Sequence, residues 1–233
     1  MVTIQNPDFD IAKIADSGQC FRLIPRPGGG YALVARNRVL RLFGTPEGCA
    51  LDCSQADFDA LWRDYFDLAR DYASIRAKAD PDDAFLRRAC DYGRGIRMLR
   101  QEPWEMLVSF IVSQRKSIPA IRSCIEALCL RYGEPIESAG ERFYAFPAAE
   151  RLAALGEADF LACSLGYRAR YVRAAARMAA SGALDLAAIA ALPDDALCSA
   201  LLAVPGVGEK VANCVMLFGY HRLSRFPRDV WID

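Results

Sequence analysis

An α+β fold is predicted for this chain: a small antiparallel β-sheet over residues 1–53, packed on an all-helical body over residues 54–233. Three observations predict it. Short alternating or apolar runs near the N-terminus are punctuated by turn residues. From Ser54 onward the apolar spacing changes to that of helices. Near the end, one apolar helical run stops at Val204-Pro205-Gly206-Val207-Gly208 and another begins at once, a helix-hairpin-helix at about 194–219.

The strand candidates are Cys20–Ile24, Tyr31–Val34 and Val39–Phe43, with turns at Pro25–Gly30 and Arg36-Asn37 that make an antiparallel meander. Ser54 is placed to cap the first helix of the body, with Asp57 in its first turn and Phe58, Leu61, Trp62 and Tyr65 at helical spacing. Further helices are expected at about 82–92, 103–114, 117–132, 148–155, 157–165, 168–181, 194–203 and 209–219. Gly93, Gly133, Gly156, Gly166 and Gly182 fall where helices should stop, and Pro147 where one should start. Residues 177–192 are rich in alanine but periodic, which predicts helix there too.

Composition narrows the class. At 233 residues, 53% hydrophobic and 25% charged, the chain suits a globular protein with a sizeable core. No apolar run approaches the ~18 residues of a membrane helix, and Met1–Asn6 carries no export signal. No membrane association is therefore expected. The nine cysteines are odd in number and scattered, which predicts reduced thiols in a cytoplasmic protein. Cys49 and Cys53 form a close pair, but no second pair or histidine accompanies them, so no metal is expected there. Net charge is zero, a mild argument against a nucleic-acid partner. Local distribution weighs the other way: Arg168, Arg170, Arg173 and Arg177 crowd one segment, and Arg222, Arg225 and Arg228 precede Asp229. Such a basic face is enough for salt-sensitive DNA binding, and is equally what an ordinary solvated helix face would show.

The hairpin carries the chemistry. Gly206 and Gly208 permit a tight turn with no Cβ in the way of a close neighbour. The amides that open the second helix suit an anion such as a phosphate. Lys210 lies in that helix's first turn, at the positive end of its dipole, where an amine is suited to act as a nucleophile.

With Asp229 downstream, these residues resemble the helix-hairpin-helix DNA glycosylases, and the 8-oxoguanine DNA glycosylase family in particular. Pro205-Gly206-Val207-Gly208-x-Lys210-Val211-Ala212-x-Cys214 is similar to that family's hairpin, lysine and pocket cysteine, and Phe226-Pro227-x-Asp229-Val230 to its aspartate segment. Asp16–Arg22, Trp62–Leu68, Gln101-x-Pro103-Trp104-Glu105 and Leu165–Tyr171 are similar to further family segments, so the likeness covers nearly the whole chain.

The resemblance implies excision of 8-oxoguanine from duplex DNA followed by strand cleavage. Lys210 is then the nucleophile that forms a Schiff base, and Asp229 the carboxylate that stabilises the oxocarbenium-like transition state. It gives Gly18 a carbonyl that accepts the N7 proton of 8-oxoguanine, and it places Phe21 and Cys214 at the base. Tyr167 would wedge the duplex and Arg168 read the orphaned base; Gly206, Val207 and Gly208 would meet a phosphate. The carbonyls of Leu202, Val204 and Val207 would hold a structural monovalent or divalent cation, with no cofactor needed for catalysis. With four residues after Asp229, no four-cysteine iron–sulfur cluster is expected. Taken singly, each residue also has a plainer reading. Lys210 is then a solvated charge, Asp229 a helix cap, Gly18 a turn, Cys214 a core residue and Tyr167 a packing residue at a helix start.

The likeness is not uniform. Arg115 replaces a key asparagine and Ala120 an arginine, so strict preference for cytosine opposite the lesion is not implied; Arg115 remains a DNA-contact candidate. The family continues past its aspartate with helices that touch the damaged base, whereas this sequence stops at Asp233, and an incomplete chain is the expectation. A monomer is expected, acting on double-stranded DNA that contains oxidised purine, in the cytoplasm or nucleoid of a bacterium or the nucleus of a eukaryote. Two competing readings are an alkylpurine glycosylase of the same superfamily, which does not need Lys210, and a non-catalytic DNA-binding hairpin.

Overall fold

A computed structural model of the chain describes residues 1–228. It divides into two compact units: Met1–Val34 with Val39–Arg100, and Ala35–Arg38 with Gln101–Asp233. The change from strand to helix does occur after Ser54, but that point lies inside the first unit. The units divide where the chain leaves Arg100.

The first unit is built on β1 (Val2–Gln5), α1 (Ile11–Asp16), β2 (Leu23–Pro25), β3 (Tyr31–Ala35), β4 (Arg38–Thr45) and β5 (Gly48–Leu51). The strands form one antiparallel sheet in the order β1-β5-β4-β3-β2. Leu23 faces Leu33 and Leu42 faces Leu51 in register, and all four are fully buried. The β3–β4 turn, whose residues Ala35–Arg38 are counted with the second unit, uses Arg36 and Asn37, both at positive φ, as a two-residue type I′ hairpin requires. Two features differ from the sequence reading. The strand expected from Cys20 starts only at Leu23, because Gln19 holds the preceding segment in an irregular path. Its amide donates to the Arg97 carbonyl and its oxygen accepts from the Leu99 amide. And α1 interrupts the region read as β: Asp10 caps it, accepting from the amides of Ala12 and Lys13.

Ser54 caps α2 (Gln55–Asp57) as expected, accepting from the Asp57 amide. The helix widens into a π turn at Phe58–Trp62 before α3 (Arg63–Tyr65). This carries Trp62, Tyr65 and Phe66 into an edge-on aromatic cluster with Phe9. Two short helices complete the unit, α4 (Tyr72–Arg76) and α5 (Ala84–Tyr92).

The second unit holds α6 (Pro103–Ser113), α7 (Ile118–Tyr132), β6 (Pro135–Ser138), β7 (Glu141–Tyr144), α8 (Ala149–Ala153), α9 (Glu157–Leu161), α10 (Ala169–Ala180), α11 (Asp194–Leu202) and α12 (Glu209–Phe218). Its centre is α6, which is buried continuously from Glu105 to Val112 and packs against α7, α10 and α12. Phe110 of α6 stacks on Phe218 of α12 with centroids 5.5 Å apart. The β6–β7 hairpin was not expected from the sequence. Its turn places Ala139 and Gly140 at positive φ, and alanine gives no sequence signal for that conformation.

The alanine-rich segment corrects the sequence reading. Helix α10 ends at Ala180, and residues 183–187 are not helical. A 3₁₀ turn follows at Ala188–Ala191. Gly182 at φ 77° breaks the helix, and Asp185 captures the amides of Ala187 and Ala188 in a new turn. Among the described residues, no helix is long and apolar enough to cross a membrane.

Candidate active site and nucleic-acid interface

The hairpin between α11 and α12 is a tight turn closed by the Val207 amide donating to the Val204 carbonyl at 3.0 Å. Pro205 and Gly206 occupy its central positions, and Gly206 has φ 83°, as a type II turn demands. Glycine is required here for a second reason. A Cβ at Gly206 would enter the side chain of Tyr171 on α10, standing 2.6 Å from its Cδ1. Gly208 is different: it caps α12 in an extended conformation, and a Cβ there would meet nothing within 4 Å.

Helix α12 then presents two faces. Val211, Ala212, Cys214, Val215 and Met216 are buried, while Lys210 is exposed in the first turn. Cys214 stands four residues after Lys210, and such a pair lies on one side of a helix about 6 Å apart along its axis. The lysine therefore projects near solvent directly above a buried thiol. Asp229 lies outside the described residues.

Two neighbouring loops are tied to this hairpin. Gln114, at the end of α6, donates from Nε2 to the Gly206 carbonyl at 3.1 Å and to the Ile111 carbonyl at 3.0 Å. Its own main-chain carbonyl accepts from Arg168, whose Nε lies 2.8 Å away and whose Nη2 makes a second, short contact. Arg168 also donates to the carbonyls of Leu165 and Arg115, and it stacks over the Tyr167 ring at 4.4 Å. It is only 6% exposed. Lys116 completes the tie, donating from Nζ to the Ser164 carbonyl at 3.0 Å. The loop that Arg168 holds is strained, since Arg115 adopts φ 51°. Ser164 across from it is at φ 61°.

The second unit thus brings together most of the residues singled out from sequence. Val204, Gly206, Val207 and Gly208 form the hairpin, and Leu202 ends the helix before it. Lys210 and Cys214 follow on α12. Tyr167, half-exposed at 47%, lies edge-on to Tyr171, and Arg168, which stacks on it, reaches the carbonyl of the exposed Arg115. Gly18 and Phe21 belong to the first unit. Gly18 follows α1 at φ 76°, and its flanks are fixed by hydrogen bonds from Ser17 to the Ile14 carbonyl and from Gln19 to Ser17. Phe21 is 3% exposed.

Sequence reasoning missed Gln114, Lys116 and Tyr171. The first two flank Arg115 in sequence, but nothing in periodicity marks a glutamine that will reach another loop's carbonyl. Tyr171 was legible only as part of a similar segment, not as the ring on which a glycine 35 positions later must close.

Comparison with known proteins agrees with this geometry. Residues 1–107 match the family of 8-oxoguanine DNA glycosylase N-terminal domains, and residues 108–232 match the HhH-GPD superfamily of base excision DNA repair proteins. The crystal structure of Clostridium acetobutylicum 8-oxoguanine glycosylase/lyase, in complex with double-stranded DNA containing cytosine opposite 8-oxoG, superimposes with a TM-score of 0.92 at 36% identity. It covers 97% of this chain and 78% of that one. The N-glycosylase/DNA lyase of Saccharomyces cerevisiae is 35% identical over 152 residues, which is 60% of this chain and 40% of the yeast protein. The N-glycosylase/DNA lyase OGG1 of Arabidopsis thaliana is 33% identical over 180 residues, 73% of this chain and 45% of the plant protein. The aligned segment thus spans less than half the length of either curated relative. By both halves of its sequence and by its fold, the chain belongs to the 8-oxoguanine DNA glycosylase family of the helix-hairpin-helix superfamily.

Proposed function

We propose that this protein excises 8-oxoguanine from double-stranded DNA and then cleaves the strand at the resulting abasic site. The observation that carries this reading is Lys210, exposed in the first turn of α12 immediately beyond a hairpin built to meet phosphate.

The chemistry follows from the residues in order. The target base must leave the stack before its glycosidic bond is reachable. Tyr167 beside Arg115 supplies a ring to fill the gap and a cation for the opposite base or its phosphate. With the Val207 amide closing the turn on the Val204 carbonyl, the amides at Gly206 and Gly208 hold a backbone phosphate of the damaged strand. The amine of Lys210 attacks C1′ as the bond from C1′ to the base breaks, and the electron pair leaves with the base, which takes up a proton. Positive character at the sugar is balanced by the carboxylate of Asp229. The amine–sugar adduct then opens to a Schiff base. Loss of a proton from C2′ expels the 3′ phosphate, and water returns the lysine.

Recognition of the oxidised base is assigned to Gly18, Phe21 and Cys214. A backbone acceptor at Gly18 would pair with the N7 proton that guanine lacks, and the wrong base would leave that acceptor buried and unpaired. The carbonyls of Leu202, Val204 and Val207 are all neutral oxygens at a helix end and turn, a donor set suited to a hard structural cation that would stiffen the hairpin. No step of the reaction needs it.

The test is product analysis on three duplexes, containing 8-oxoguanine, an alkylated purine or guanine at one site. The proposal expects 8-oxoguanine to be released and the strand nicked, with both products lost in Lys210→Gln. Release of the alkylated purine without nicking would replace it with the monofunctional reading, and tight binding with no release would leave a non-catalytic hairpin.

A further inference from the structure

We propose that the exposed face of α10 is a second track for the DNA backbone, beside the hairpin, that grips duplex DNA whether or not it is damaged. The partner rests on the function proposed above; the track itself rests on separate observations.

The first is charge. From Phe160 to Leu184 the sequence holds no aspartate or glutamate and four arginines, in a chain whose 29 acidic and 29 basic residues otherwise balance. The second is placement. Helix α10 buries Ala169, Val172, Ala175 and Ala176. At about 100° per residue, Arg170 and Arg177 lie within about 20° of each other on the opposite side, with Arg173 about 60° to one flank. Arg170 and Arg177 are exposed, and Arg173 is half-buried.

The third observation is that these charges are uncommitted. Arg70, Arg100, Arg222 and Arg225 each sit on an aspartate. Among the described residues, Arg170, Arg173 and Arg177 have no carboxylate at ion-pair distance, and Arg173 Nε has no hydrogen-bond partner. Opposite charges at i,i+4 would stabilise such a helix, and α10 carries none.

The fourth is continuity with the hairpin. Arg170 donates to the Tyr171 hydroxyl at 2.8 Å and stacks on its ring at 4.7 Å. That ring is the one on which Gly206 closes. The head of the arginine stripe therefore abuts the phosphate-binding turn, and the stripe runs on for about 10 Å, roughly the rise of three phosphates on one strand. Arginines on such a track contact phosphate without reading sequence. They would hold the protein on undamaged duplex while it moves between lesions.

The experiment measures binding of the whole protein to an undamaged duplex between about 50 and 200 mM salt, using Arg173→Gln/Arg177→Gln. Among the described residues no hydrogen bond or ring contact joins either residue to Tyr171 or the hairpin, and a melting curve checks the fold. Each phosphate contact contributes about 0.9 to the slope of log affinity against log salt. The double variant should be shallower by about 1.8, so that it loses about tenfold less affinity than wild type over this range. Single-turnover excision at saturating protein should be unchanged. A slope equal to wild type overturns the track, whatever the excision assay shows. A shallower slope in a protein that releases no 8-oxoguanine would retain the track and sink the proposed function. The charge reversals Arg173→Glu and Arg177→Glu, made singly, should each weaken binding relative to wild type; an unchanged affinity in both overturns the proposal as well.

Discussion

A methyl group added at Gly206 would enter the Tyr171 ring and force a left-handed φ on an alanine, whereas the same methyl at Gly208 would project into open space. The two glycines of one hairpin are therefore predicted to part company. Gly206→Ala should lose at least about 1–2 kcal/mol of stability, from backbone strain alone, and weaken DNA binding. Gly208→Ala should unfold within about 0.5 kcal/mol of wild type in urea. Arg168 is the other residue whose role is set by its partners. Its guanidinium is occupied by the carbonyls of Leu165, Gln114 and Arg115, so in this structure it positions the 114–115 loop rather than projecting toward a base. Because Gln114 passes that constraint to the Gly206 carbonyl, Arg168→Ala and Gln114→Ala should be non-additive. A double-mutant cycle on stability should return a coupling of about 0.5–3 kcal/mol. Strict additivity would dissolve the link between the two loops.

At the scale of elements, the loop after α3 is held by a buried charge cluster that no periodicity announces. Asp67, at φ 49° and 2% side-chain exposure, accepts from Arg70, Arg100 and the Tyr72 hydroxyl. Arg97 is wholly buried beneath it, donating to four main-chain carbonyls and stacking over Tyr72 at 4.2 Å. Removing the carboxylate leaves the Tyr72 hydroxyl and the buried Arg97 without their nearest anion, while Arg100 keeps Asp64 at 3.3 Å, so Asp67→Ala should cost about 1–3 kcal/mol in denaturant titration. Burial first, and the neighbouring Asp67 charge, push the Tyr72 phenol up to about 12. Because the folded state holds that proton more tightly than the unfolded chain, its contribution is intact below about pH 10 and fades as pH rises toward about 12. Burial raises the Cys49 thiol to about 11 in the same sense. Stability should accordingly fall on alkaline titration, and less steeply in Tyr72→Phe. Equal slopes would remove Tyr72 from the account. The elements that were legible in the sequence are those whose causes are local. Ser54 caps its helix, Arg36-Asn37 turns its hairpin, and Pro205-Gly206 closes the type II turn. What was not legible depends on distant partners or silent residues: Asp185 starting a new turn within the alanine-rich segment, Ala139 bending into a hairpin, and Gln114 reaching another loop.

For the whole molecule, a net charge of zero conceals a deliberate distribution. Acidic residues pair with arginines in the cluster around Asp67 and between Arg222, Arg225 and Asp194, while α10 keeps its arginines uncommitted. A neutral chain can then bind a polyanion through one face without the self-repulsion of an overall basic surface. The hairpin, the Arg115–Tyr167 region and Lys210 belong to one unit, and Gly18 and Phe21, proposed to recognise the oxidised base, belong to the other. The proposed function turns on one covalent event, the attack of Lys210 on the sugar. Borohydride reduction of the protein mixed with a duplex containing 8-oxoguanine should trap a protein–DNA adduct of one-to-one mass, and peptide mapping should place the modification on Lys210. The adduct should vanish in Lys210→Gln while DNA binding persists. An adduct of equal yield in Lys210→Gln, or a wild-type protein that releases the base yet traps nothing, would contradict the assignment of Lys210 as the nucleophile.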